Sequence, residues 1–528
     1  MEYLIHHCLR RTAAQFPEKT ALKQHNISMC YRDLERNSDA LAWTLVHSGA
    51  QRGDRVAVFL DHSLDQVLSF WSIVKAGCVF VPINSLLLAP QAEHIAKDCE
   101  PFALIIDSNR LEMLRNSLGA WPFLKQIIVV GEIPLWVKNL PIKCVSWDAV
   151  LAESGKAVPS PDRCIGLDLA ALLYTSGSTG RPKGVMVSHD NLLAGARIVT
   201  SYLRNRPDDR LLGVLPLSFD YGLNQVTCSA LLGMTYVMTS FRFPGELVDV
   251  LIQEQITGFA GIPTIWLLLL QRGSPVFKKK FPHLRYITNS GGFLPPSAID
   301  QLRHVFPGTE IFLMYGLTEA FRSTYLPPEE IDARPTSIGK AIPGCEILVV
   351  SKDGRLCAPG EVGELVHRGP TVSLGYWGDR EKTEKVFRPH PFLPEGLAQM
   401  ERVVYSGDLV KKDDEGYLYF VGRDDHMIKC HGHRISPSEI EDVLYEGGRV
   451  KLAAAIGVPD PIRGQSVKVF VVPQDGESLS EEEVRAYCAE KLPVFMLPRY
   501  VEIRRELPRT PTGKIDVARL RAEESTKS

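Results

Sequence analysis

The chain has 528 residues, of which 45% are hydrophobic and 23% charged, with a formal net charge of −2. That length exceeds what one core supports, roughly 250–300 residues, so at least two domains are expected. The near-neutral balance excludes a global pull toward nucleic acid or an anionic membrane surface. Residues 1–6 lack a basic stretch followed by a long apolar run, so no secretory signal is expected there. The longest apolar stretch, residues 259–270, is interrupted by Pro263 and falls short of the ~20 residues a spanning helix needs. The 11 cysteines are scattered, without a Cys-x-x-Cys pair. That usage fits a reducing, cytoplasmic setting rather than a disulfide framework. Cys430, His431 and His433 stand too close together for a typical structural zinc site and read as a loop.

The first third alternates helix and strand. Residues 31–48 place Leu34, Leu41 and Leu45 on one helical face. A short buried strand follows at 55–60, a helix at 64–75 closed by Gly77, and strands at 79–83, 103–106 and 126–130. This is the pattern of a parallel, doubly wound sheet, whose ligands sit at the carboxyl ends of the strands. After about Gly339 the turns become frequent (Asp353-Gly354, Pro359-Gly360), and antiparallel strands are expected. A distinct tail begins near Asp425, with helices at 437–445 and 480–491 and strands at 453–458 and 467–472. The expected architecture is therefore α/β. A large domain over 1–424 carries mostly parallel sheets and a β-rich subdomain, and a small mobile α+β domain covers 425–528.

The strongest chemical signal is Tyr174-Thr175-Ser176-Gly177-Ser178-Thr179-Gly180-Arg181-Pro182-Lys183-Gly184-Val185. Glycines bring backbone N–H groups close to an anion, hydroxyls donate further hydrogen bonds, and Lys183 and Arg181 supply positive charge. The spacing is not that of a Walker A loop, because Pro182 separates Gly180 from Lys183. The alternative is a flexible surface turn, which the strand leading in at 169–174 argues against. Alone, this loop says only that a polyphosphate binds.

The same segment resembles the signature of the adenylate-forming superfamily, which includes the AMP-forming acyl-CoA synthetases. Four further motifs follow in the family's order, so the resemblance covers nearly the whole chain: Met314 to Glu319, Tyr405 to Asp408, Gly422 to Ile435 and Pro508 to Ile515. The resemblance implies that Thr175, Ser176, Gly177, Ser178, Thr179, Gly180 and Lys183 cradle the phosphates of ATP. Gly291 and Gly292 would line the adenine pocket, and Tyr315 and Gly316 would face the base. Thr318 would bind a phosphate, and Glu319 would hold Mg²⁺. Asp408 would take the ribose hydroxyls and Arg423 the ribose–phosphate region. Lys514, with Lys183 and Glu319, would be catalytic, stabilising charge as a carboxylate attacks the α-phosphate. Asp425 would be a hinge. The loop with Lys429, Gly432 and Arg434, held at a helix entrance by the box Ser436-Pro437-Ser438-Glu439, would face a thiol channel for coenzyme A.

The acid pocket is expected at 215–222, with Phe219 and Asp220, and with Arg322 within reach. A carboxylate at Asp220 beside an apolar pocket fits an amino-bearing acid, or else it caps a local helix. Residues 288–292 and 315–329 further resemble ligases associated with exosortase A systems. The leading reading is an acyl-CoA synthetase that uses ATP, Mg²⁺, a carboxylic acid and coenzyme A. A second reading is a stand-alone adenylating enzyme that loads a carrier-protein phosphopantetheine in trans. A third, a non-catalytic binding module, is disfavoured because Lys183, Glu319, Asp408 and Lys514 are all in place.

Overall fold

The computed structural model describes every residue except 1, 155–160, 177–181, 394–395, 397–400, 424–427, 431–432, 461–463, 493–495, 512 and 526–528. The described strands form three sheets. The first runs Lys143–Ser146, Gln126–Val130, Ala103–Asp107, Arg55–Phe59, Val79–Pro82, Leu169–Ser176, Pro182–Ser188. All its pairs are parallel except the last, an antiparallel hairpin. Its central strands are continuous Val, Ile, Ala and Phe runs, buried along nearly their whole length, as a sheet covered on both faces requires. The helices between them start where the sequence marks them. The Ser63 hydroxyl accepts the Gln66 N–H at 3.3 Å, and Ser188 and Asn191 cap each other reciprocally.

The second sheet carries the parallel strands Thr235–Met238, Arg210–Gly213, Gly258–Gly261, Tyr286–Asn289 and Glu310–Tyr315. It continues antiparallel through Thr324–Leu326 and Ser337–Ala341 into Leu418–Arg423, Arg402–Lys412, Val362–Arg368 and Glu346–Val350. The antiparallel region after Gly339 is thus present as expected. The apolar stretch at 259–270 divides into the strand Gly258–Gly261 and the helix Pro263–Leu269, with Pro263 in its first turn. No described helix is long and apolar enough to cross a membrane.

The helix Asp220–Leu232 is buried on all sides. It packs on the helices Ile5–Gln15 and His189–Tyr202 and on the strands Arg210–Gly213 and Thr235–Met238. Gly222 makes this possible: a Cβ there would stand 2.3 Å from the Pro216 carbonyl oxygen.

The smaller C-terminal domain is built on the long antiparallel pair Val450–Asp460 and Gly464–Pro473, with Tyr500–Ile503 parallel to the latter. Its helix Pro437–Glu446 starts with Pro437, and the Ser436 hydroxyl accepts the Glu439 N–H at 3.4 Å. Only that half of the expected capping box forms; the Ser436 hydroxyl donates in turn to the Val421 carbonyl, tying the helix start to the large domain. The same helix contacts Pro296–Val305 and Leu418–Arg423. The expected boundary at Asp425 lies outside the described residues.

Candidate active site

Four segments converge where the parallel strands end: the hairpin after Leu169–Ser176, the turn after Arg210–Gly213, the turn after Tyr286–Asn289 and the turn after Glu310–Tyr315. Such carboxyl-end crevices are where open α/β sheets bind ligands.

Thr175 and Lys183 face each other across the hairpin. Gly177, Ser178, Thr179, Gly180 and the side chain of Ser176 lie outside the described residues. Lys183 lies 3.7 Å from the Asp379 carboxylate. The segment around Tyr376 runs alongside the hairpin: Val185 bridges Tyr376, and the Trp377 N–H donates to the Gly184 carbonyl at 2.8 Å. This brings in two residues that sequence reasoning missed. The Tyr376 hydroxyl donates to Glu319 Oε1 at 2.5 Å. Lys382 lies over the Tyr376 ring, 4.9 Å from its centroid. Burial, and then the neighbouring Lys183 ammonium, push the Lys382 pKa down to about 8, with Glu319 and Asp379 opposing. Lys183 and Lys382 thus stand close together, with Glu319 and Asp379 nearby. Lys382 sits in the short charged helix Arg380–Val386, which reads in sequence as a solvated surface helix.

The Tyr315 hydroxyl donates to Asp408 Oδ2, and Asp408 is 6% exposed within the strand Arg402–Lys412. Arg423 stands opposite Asp408 in the antiparallel pair; its side chain lies outside the described residues. Gly291 has φ +80°, a backbone conformation that favours glycine. Asn289 Nδ2 donates to the Gly292 carbonyl at 3.0 Å and closes this turn. Gly316 is crowded: a Cβ there would be 3.0 Å from Arg322 Cα.

Phe219, Asp220 and Arg322, the residues expected at an acid pocket, lie near one another. Phe219 precedes the buried helix and Asp220 is its first residue, with no side-chain cap bond from Phe219. Asp220 is 3% exposed and accepts the Thr318 hydroxyl at 3.4 Å. Burial pushes the Asp220 pKa up, while the Arg322 and Lys514 charges pull it back. Two cations thus already act on this carboxylate. Arg322 is 2% exposed, donates from Nη1 to Ser290 Oγ at 3.0 Å and lies over the Tyr221 ring at 4.6 Å.

Lys514 reaches this same place from the small domain. Its turn is closed by the Gly513 N–H donating to the Thr510 carbonyl at 2.9 Å and the Thr510 N–H donating to the Lys514 carbonyl at 2.8 Å. A Cβ on Gly513 would lie 3.2 Å from Ile262 Cδ1 of the large domain, and one on Gly291 would lie 3.8 Å from Lys514 Cε. The structure therefore has the Lys514 turn docked in the large-domain crevice. Lys429 and Arg434 pair in the hairpin Ile428–Cys430 and His433–Ile435, with their side chains, and all of Asp425 and Gly432, outside the described residues.

Residues 9–377 match the AMP-binding enzyme family, and residues 439–514 match the AMP-binding enzyme C-terminal domain. The chain belongs to that family. It is 31% identical over 509 residues to a feruloyl-CoA synthase from an Amycolatopsis species, covering 96% of each. It is 29% identical over 549 residues to a long-chain-fatty-acid–CoA ligase of Bacillus subtilis strain 168, covering 98% of this chain and 94% of that one. Among solved structures, the anthranilate CoA ligase AuaEII in complex with anthranoyl-AMP superposes with a TM-score of 0.88 at 27% identity, covering 99% of this chain and 97% of that one. The protein is an acid–thiol ligase: ATP activates a carboxylic acid as an acyl-adenylate, and coenzyme A takes the acyl group as a thioester. The relatives are CoA ligases and do not favour loading of a carrier protein.

Proposed function

We propose that the docked Lys514 turn is the adenylating arrangement and that Lys514 is the residue on which the first half-reaction depends. The observation that carries this is the approach of Lys514 to Gly291: a Cβ at that glycine would lie 3.8 Å from Lys514 Cε and 3.8 Å from Phe219 Cζ. In the first step a carboxylate oxygen of the acid attacks the α-phosphorus, and the bond to the β-phosphate oxygen breaks, releasing pyrophosphate. Negative charge grows on the oxygens around phosphorus, and a lysine ammonium beside them stabilises it. Lys183 and Lys382 hold the leaving pyrophosphate, Thr318 donates to a phosphate, and Tyr315 and Asp408 hold adenosine.

The donor set fits a magnesium ion: a hard dication takes one or two carboxylates plus phosphates, and Glu319 is held in place by the Tyr376 hydroxyl. When bound, the ion would neutralise phosphate charge. The small domain, 425–528, then swings about Asp425, withdraws Lys514 and brings the Lys429–Arg434 hairpin, with Gly432, to the thiol entrance. Alternating two arrangements keeps the half-reactions apart. The described cysteines are all free thiols, and ATP and coenzyme A are intracellular substrates, which together support a cytoplasmic setting. The wording of residues 288–292 and 315–329 supports a place among the exosortase A-associated ligases.

The experiment is ATP–pyrophosphate exchange over a panel of acids, followed by transfer to coenzyme A or to a carrier protein. Exchange with an acid, and thioester formation on coenzyme A, are expected. Thioester formation on the carrier alone would contradict the reading.

A further inference from the structure

The acid pocket contains a cation that the protein does not satisfy. Arg322 is 2% exposed, yet its Nε and Nη2 groups have no acceptor among the described residues; Nη1 alone is bonded, to Ser290 Oγ. No described carboxylate lies within ion-pair distance of it. A buried guanidinium left so poorly paired is unfavourable unless a ligand supplies the acceptors. Asp220 influences it only through space, and that carboxylate has the Thr318 hydroxyl and the Lys514 charge as well.

The space behind Tyr221 is small. Tyr221, which supports the guanidinium, also walls an inner cavity of about 20 Å³ lined by Asn224, Gln225, Cys228, Thr288 and Met314. That is room for about one water. Aromatic rings fill the space under the strand glycines: a Cβ on Gly258 would be 2.3 Å from Tyr286 Oη, and one on Gly213 would be 2.2 Å from Tyr236 Cζ. The rest of the wall is largely apolar, with Val199, Leu203, Leu211 and Ala260, although Asn224 Nδ2 has no acceptor among the described residues. The volume, not the wall, is what leaves no room for a long alkyl chain.

We propose that the acid is compact and carries a second oxygen acceptor, either a carboxylate or a neutral carbonyl or hydroxyl oxygen, which Arg322 binds. This rests on the acid-activating reading above. The two-pronged face of a guanidinium matches such a group. A site with buried donors also discriminates strongly against an analogue that lacks the acceptor.

The test is pyrophosphate exchange by the full-length enzyme with matched acids: pentanoate, glutarate, 4-oxopentanoate, 4-aminobutanoate and palmitate. Glutarate or 4-oxopentanoate is expected to give at least tenfold higher kcat/KM than pentanoate, and which of the two leads tells whether the acceptor is charged or neutral. In Arg322→Met that preference collapses through the KM for the acid, with the KM for ATP unchanged, and Arg322→Lys recovers part of it. Pentanoate or palmitate leading in the wild type would overturn the proposal, as would 4-aminobutanoate, and either result would leave acid activation intact. Exchange with no acid of any kind would overturn acid activation itself. The wild-type ranking decides the matter even if Arg322→Met does not fold.

Discussion

Lys514 and Gly291 meet across the two domains: the Cβ that an alanine would add at Gly291 would lie 3.8 Å from Lys514 Cε and 3.8 Å from Phe219 Cζ. The contact brings the turn after Tyr286–Asn289, Phe219 and the Lys514 turn of the small domain to one point. Gly291→Ala places a methyl there and forces an L-residue to φ +80°. The backbone term alone is about 1–2 kcal/mol. The variant is expected to melt slightly earlier and to lose pyrophosphate exchange at least tenfold. Thioester formation from supplied acyl-adenylate should fall much less, which rapid-quench assays of each half-reaction would show.

Lys382 provides a pH-dependent test. Its pKa is pushed down to about 8 by burial and by Lys183, so the group is charged below pH 8 and loses its charge as pH rises through that value. Affinity for pyrophosphate and ATP should therefore weaken across pH 7–9. Lys382→Met should raise the KM for pyrophosphate about tenfold at pH 7 and flatten that profile. An unchanged profile in the variant would remove Lys382 from the phosphate site.

The order of elements was readable from the chain because buried strands such as Arg55–Phe59 and Gln126–Val130 are unbroken apolar runs between glycine-bearing turns. The motifs at Tyr315, Asp408 and Lys514 were readable because each sits in a short segment whose chemistry is local. Lys382 was not, because its neighbours Arg380, Glu381 and Glu384 look like any solvated helix; only the bridge between Val185 and Tyr376 carries it to the loop. Asp220 drew attention as an acid in an apolar setting. The missing partners belong instead to Arg322, since its contacts, Ser290 and Tyr221, come from distant parts of the sequence.

Buried histidines make the fold sensitive to acid, and His62 and His367 are two of them. Burial pushes the pKa of His62 down to about 4 and that of His367 to about 3. In the unfolded chain both return to about 6.5. Between those values the unfolded state binds protons that the folded state does not, so stability at neutral pH is lost as pH falls from about 6.5 toward 4. The Tm of the ligand-free protein is expected to drop across that range, and His62→Gln should make the drop shallower. A Tm that stays level from pH 7 to 4.5 would contradict this.

Asp408 takes the Tyr315 hydroxyl, so removing its charge should loosen the nucleotide side without touching the acid pocket. Asp408→Asn is expected to raise the KM for ATP roughly tenfold or more, in line with a lost hydrogen bond to a charged group of ~1.5–3 kcal/mol, while the KM for the acid stays within about twofold.

The most direct test of the account compares the two half-reactions in Lys514→Ala. Pyrophosphate exchange should fall by at least a hundredfold, while thioester formation from supplied acyl-adenylate and coenzyme A stays within a fewfold of the wild type. Exchange at the wild-type rate, or equal loss of both half-reactions, would contradict the assignment of Lys514 to adenylation.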